Sequence, residues 1–165
     1  MKKVIEILQE ELSAAFEKAG YEQKYAKVTL SNRPDLCQYQ CNGALAAAKQ
    51  YHKAPIQIAN EVVEKLEDSS TFKEIVAQMP GFINMTVSDA FLADFVNHMN
   101  EDELFGCDKA DKPETIVIDY GGANVAKPLH VGHLRSAVIG ESIKRTARYL
   151  GHKVVGDVHL GDWGL

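Results

Sequence analysis

Residues 115–136 read Thr115-Ile-Val-Ile-Asp-Tyr-Gly-Gly-Ala-Asn-Val-Ala-Lys-Pro-Leu-His-Val-Gly-His-Leu-Arg-Ser136, and the chain changes character twice within them. Thr115–Tyr120 is a run rich in β-branched residues, the composition of a strand buried on both faces. Gly121–Lys127 is a loop that begins with adjacent glycines. From Pro128 to Leu150 the pattern predicts a long helix, with proline in its first turn and Gly151 just past its end. Lys153–Leu160 is a second strand. Strand, helix and strand in this order predict a βαβ unit with parallel strands and a right-handed crossover.

A strand that runs through a glycine loop into a helix N-terminus makes an anion site, because free N–H groups and the helix dipole converge there. Neither the dinucleotide fingerprint G-x-G-x-x-G nor the P-loop G-x-x-x-x-G-K-[ST] is present. The loop and first turn instead carry Lys127, His130 and His133. His130 and His133 are three apart, so on one helix they share a face. Gly132 between them allows close approach by a flat ring such as adenine. Imidazoles and an ammonium aimed at one point stabilise charge building on a phosphate without a covalent intermediate. The spacing alone leaves two other readings open: a metal-binding His-x-x-His pair, and a pair of ordinary helix-surface histidines.

Charge follows the same division. Residues 1–120 hold 12 basic and 20 acidic side chains, net −8, whereas residues 121–165 hold 6 and 3, net +3. The second segment suits an anionic ligand, although a helix with a basic solvated face gives the same balance. The whole chain, at −5, is no generic polyanion binder. Its 45% hydrophobic and 25% charged residues are ordinary for a globular protein. No apolar stretch approaches the roughly 20 residues that span a bilayer, so no membrane role is expected. The opening Met-Lys-Lys-Val-Ile-Glu interrupts its apolar pattern with charge, unlike a secretory signal. Cys37, Cys41 and Cys107 are odd in number and predict a reducing, cytoplasmic setting. Cys37 and Cys41 lack a second ligand pair nearby, which argues against zinc, and no metal site is expected.

The front of the chain reads differently. Residues 3–19 are an amphipathic helix stopped by Gly20. Ala26–Leu30 reads as a strand broken by Ser31-Asn-Arg-Pro34. Gly43–His52 and Pro55–Leu66 read as helices. Phe72–Ala77 and Phe82–Val87 alternate as strands of a hairpin turned by Met79-Pro-Gly81. Ser88 to about Asn100 is a helix with Ser88 or Asp89 as its N-cap. Residues 101–114 are charged, without periodicity, and contain glycine and proline, which marks a linker. The expected organisation is therefore residues 1–100, a linker at 101–114, and residues 115–165.

His130-Val-Gly-His133 resembles the HIGH motif of class I aminoacyl-tRNA synthetases. The extended string, with Asn124, Lys127-Pro128 and Leu134-Arg135, is similar to arginyl-tRNA synthetases in particular, as is His159-Leu-Gly-Asp-Trp-Gly164. Asp35-Leu-Cys-Gln-Tyr-Gln-Cys-Asn-Gly43 and Pro80-Gly-Phe-Ile-Asn84 resemble motifs of that family's added N-terminal domain. The resemblance implies an α+β N-terminal added domain that binds tRNA, followed by the first βαβ of a Rossmann-like α/β catalytic domain. It covers essentially the whole chain and less than a third of such an enzyme.

The resemblance also implies roles. Arginine would be activated by ATP and passed to tRNA(Arg), with Mg2+ accompanying ATP and no tightly bound cofactor. His130 and His133 would bind the ATP phosphates and stabilise the pentacoordinate centre. Gly132 would make room for adenine, and Lys127 would reach the phosphates. Asn124 would hold the polar head of arginine. Gly122, where relatives carry serine, would offer only a backbone contact. His159 and Asp162 would line the pocket, and Trp163 would do so or simply pack. In the front domain Phe82 would stack on an unpaired tRNA base, at position 20 by the resemblance, while Asn84 reads its edge. The rivals are an H-x-G-H nucleotidylyltransferase and a stand-alone tRNA-binding module. The whole enzyme is expected to be a monomer. The 165-residue chain is expected to be a truncated piece, inactive alone and prone to self-associate through open sheet edges.

Overall fold

Apolar residues at helical spacing start the first unit. In α1 (Val4–Lys18) the side chains of Leu8, Leu12, Ala15 and Phe16 fall on one stripe and are buried. Ala19 caps the helix and Gly20, at φ +85°, turns the chain away. The computed structural model describes residues 1–161. Asp162 and Trp163, named above as pocket lining, lie outside the described residues.

A short 3-10 turn (Gln23–Tyr25) leads to β1 (Val28–Leu30). The chain returns as β2 (Tyr39–Cys41), a strand the sequence did not announce. Then come α2 (Gly43–Tyr51), α3 (Pro55–Glu64), the hairpin β3 (Phe72–Gln78) and β4 (Phe82–Val87), and α4 (Asp89–Glu101). The strands form an antiparallel sheet in the order β1-β2-β4-β3. Alternation sends Ile83, Met85 and Val87 of β4 into a core shared with α1, Ile58 and Val62 of α3, and Ala44 and Ala47 of α2. Gly81 is required at the hairpin, since a Cβ there would stand 2.5 Å from Cβ of Pro55 and 3.0 Å from its carbonyl carbon. Ser88 caps α4 by accepting from the Phe91 amide at 3.1 Å.

The chain divides into one compact unit ending at Asp102 and a second beginning at Glu103. In the second, β5 (Thr115–Asp119) pairs in parallel with β6 (Lys153–Asp157), and α5 (Val131–Tyr149) connects them. Part of the segment read as a linker belongs to this unit's framework. Ala110 N donates to Leu150 O at 2.8 Å, and Glu114 O accepts from Lys153 N at 3.0 Å.

Three expectations for this unit are corrected. The helix begins at Val131 and not at Pro128, because His130 takes an extended N-cap conformation and supplies the cap itself. The second strand ends at Asp157 and not at Leu160, because the ladder ends with the Asp119–Asp157 pair, beyond which Tyr120 N reaches Asp157 O at 3.0 Å. β5 is not buried on both faces. Val117 is 68% exposed, since a two-stranded sheet with one helix covers one face only.

Gly140 brings α5 down onto the sheet. A Cβ there would lie 2.2 Å from Cγ of Tyr120. Tyr120 OH donates to Glu141 Oε2 at 2.5 Å and Lys144 Nζ lies 2.7 Å from the same hydroxyl, so the first loop residue is tied to the helix at two points. No described helix is long and apolar enough to cross a membrane.

Candidate active site at the first turn of α5

The carboxyl ends of parallel strands, where a loop passes into a helix, form a crevice that ligands occupy in open α/β sheets. Here the crevice is a cleft of about 500 Å³ whose lining includes Gly121, Ala123, His130, His133, Val158 and Leu160. It gathers both histidines.

The imidazoles are built into the helix start. Gly132 N donates to His130 Nδ1 at 3.1 Å, and His130 N donates to His133 Nδ1 at 3.1 Å. The rings lie against one another with centroids 4.0 Å apart. Two amides that a helix N-terminus leaves without partners are thereby satisfied. Each Nδ1 acts as an acceptor, which assigns the neutral ring's proton to Nε2. Each imidazole therefore offers Nε2–H as a donor, beside the positive end of the helix dipole. The space a Cβ would fill at Gly132 is occupied by the His130 ring, 2.9 Å from Cε1.

The glycine loop has its own order. Gly121 and Gly122 take positive φ, +94° and +25°. A Cβ at Gly121 would touch Val158 Cγ1 at 3.0 Å, whereas one at Gly122 would meet open space. Serine at 122 would fit sterically and be strained in its backbone. Asn124 is half-buried, and its Oδ1 accepts from Ala126 N at 2.8 Å, closing an Asx-type turn. A parallel bridge links Asn124 to Gly161. Lys127 is exposed in the same loop, and its amide donates to Asn124 O at 3.4 Å. Asn124, Lys127 and Gly122 thus lie in the loop that leads to the histidines and are not among the residues lining the cleft.

The structure adds a feature that spacing did not show. Asp119 and Asp157 end the paired strands side by side, and His159 Nδ1 stands 3.4 Å from Asp119 Oδ1 and 4.0 Å from Asp157 Oδ2. One ligand atom from each of the three falls within 4.8 Å of the others. The carboxylates are thirty-eight positions apart in sequence, about the length of a βαβ crossover, so only the parallel register reveals the pair. Chemically they suit a cation.

Phe82 and Asn84 lie on β4 in the first unit, on the face opposite Ile83 and Met85. Phe82 is half-buried and Asn84 is buried at 5% exposure. Asn84 Oδ1 accepts from Gln40 Nε2 at 2.8 Å.

A crevice at parallel strand ends, capped by an imidazole pair and preceded by an α+β unit, is the arrangement of a class I aminoacyl-tRNA synthetase. Residues 95–165 match the family model of tRNA synthetases class I (R), catalytic domain. Residues 2–87 match that of the arginyl tRNA synthetase N terminal domain. The chain belongs to the arginyl-tRNA synthetase family. It is 60% identical to the arginine–tRNA ligase of Agathobacter rectalis across its whole length, and 60% identical to that of Alkaliphilus oremlandii across 98% of it. It spans 28% of each of those relatives. A crystal structure of arginyl-tRNA synthetase from Plasmodium falciparum matches all of this chain and 32% of that one, with a TM-score of 0.57 and 25% identity.

Proposed function

We propose that the protein carrying this chain is an arginine–tRNA ligase that activates arginine with ATP and transfers the arginyl group to tRNA(Arg) in the cytoplasm. The observation that carries the reading is the imidazole pair capping α5 at the strand ends. Residues 1–100 form the added tRNA-binding domain and 115–165 the start of the catalytic domain, with 101–114 joining them and its later part bonded to the second unit. The arginine carboxylate attacks the α-phosphate, and the work is positioning and charge stabilisation. His130 and His133 donate Nε2–H to phosphate oxygens, and Lys127 adds a mobile positive charge. Mg2+ arrives as part of the nucleotide substrate, on its phosphates.

The arginine end follows from charge. A guanidinium needs carboxylates, and Asp119 with Asp157 supplies a pair at the ends of the paired strands. Asn124 and the Gly122 backbone take the polar head. On the first unit, Phe82 stacks on an unpaired tRNA base and Asn84 reads its edge. This unit's negative balance favours recognition of one nucleotide over a broad electrostatic grip. The assembled enzyme works as a monomer.

The test is amino-acid-dependent ATP–pyrophosphate exchange by the full-length gene product, run with all twenty amino acids, with and without tRNA. Exchange with arginine alone, stimulated by tRNA, supports the reading. Exchange that requires no amino acid, or none with arginine, overturns it in favour of a nucleotidylyltransferase or a binding module.

A further inference from the structure

The outer face of the four-stranded sheet carries a row of side chains set by register. Thr29 stands opposite Gln40, Gln40 opposite Asn84, and Asn84 opposite Val76. Asn84 is the buried polar member, and burying a carboxamide costs free energy unless it is hydrogen-bonded. Gln40 Nε2 satisfies its oxygen at 2.8 Å. Asn84 Nδ2 makes no such bond in this unit. No buried side-chain nitrogen or oxygen among the described residues lacks a partner, so this nitrogen meets solvent.

We infer that Gln40 is a positioning residue for base recognition: it holds the Asn84 carboxamide with its oxygen inward and presents Nδ2–H to an acceptor on the edge of an unpaired base. The inference rests on the proposal that this face binds tRNA. A free carboxamide samples both orientations of its O and N. A neighbour that fixes one of them before binding removes that cost from the encounter. The donor on Gln40 is what matters. Glutamate at this position is isosteric but only accepts. It would draw Nδ2–H inward and turn Oδ1 toward the base.

The test measures KM for tRNA and kcat of charging in the full-length gene product, together with the melting temperature of each variant. The variants are Asn84→Ala, Gln40→Ala, Gln40→Glu and the double variant Asn84→Ala/Gln40→Ala. Asn84→Ala is expected to raise KM for tRNA about tenfold with kcat little changed, the loss of one oriented hydrogen bond, and Gln40→Ala to raise it by a smaller factor, about twofold, the loss of orientation alone. Gln40→Glu is expected to do no better than Gln40→Ala. The double variant is expected to match Asn84→Ala, because Gln40 acts only through Asn84. Parental KM in both Gln40 variants, beside a weakened Asn84→Ala, overturns the role of Gln40 and leaves the tRNA-binding face standing. Additive losses, or a rise in KM that tracks a fall in melting temperature, also overturn it. Parental KM in Asn84→Ala removes the face reading itself and the inference with it.

Discussion

A Cβ at residue 132 would stand 2.9 Å from Cε1 and 3.0 Å from Nδ1 of the His130 ring. Contacts that short force the ring to move. Gly132→Ala is therefore expected to lower arginine-dependent pyrophosphate exchange by about 100-fold, the scale of an ångström-sized misplacement of a positioned group. The melting temperature should change little, since Gly132 is exposed and alanine suits a helix. Retained exchange in Gly132→Ala would show that the His130 ring need not lie where the cap puts it. Asp119 makes a separate prediction. Asp119→Asn removes one carboxylate of the pair at the strand ends and should raise KM for arginine about tenfold or more, with KM for ATP unchanged. Steady-state kinetics with each substrate varied checks it.

At the scale of elements, α1 and α5 are held by different physics. The buried stripe of α1 depends on apolar packing. Leu12 is fully buried, and Leu12→Ala should cost about 3 kcal/mol in denaturant unfolding, the middle of the range for buried leucines. α5 is tied to the end of β5 through Tyr120, whose hydroxyl joins an ion-pair cluster within the helix. Lys144, then the Tyr120 hydroxyl and Arg145, hold the Glu141 carboxyl down from 4.5 to about 2. A carboxyl whose folded value is depressed stabilises the fold above its unfolded value and loses that contribution as pH falls. The βαβ unit should thus lose stability between about pH 4.5 and pH 2, and Glu141→Gln should flatten that part of the profile. Thermal melts across this window, with and without the substitution, check it. Most element types were legible because their periodicity is local. The ends of α5 and β6 were not. Proline in a first turn argues for an earlier helix start, and only the geometry shows that His130 is the cap, so that the helix starts at Val131, three residues beyond Pro128. β2 escaped notice because three residues between Pro34 and Gly43 carry no period of their own, and their pairing with β1 and β4 makes them a strand.

For the whole molecule, the two units differ in how completely they bury their apolar surface. The first has a closed core built from three helices and one sheet face. The second has a two-stranded sheet with open edges, and Leu129, Val131, Leu134, Val138 and Ile143 of the loop and helix are exposed. Open edges and apolar surface of this kind pair with other chains. The 165-residue chain should self-associate as its concentration rises, and sedimentation showing a clean monomer at high concentration would contradict this.

The sequence by itself determined the class of each unit, the βαβ order, and the placing of His130 and His133 at the start of the crossover helix. Those features lie within a few residues of one another or repeat with a helix or strand period, so local chemistry reveals them. Tertiary structure alone decided that Asp119 meets Asp157, that Gln40 holds Asn84, and that the histidines cap their own helix. The first two contacts join residues distant in the chain, brought together by strand register. The third depends on backbone angles at His130 that residue identity does not fix.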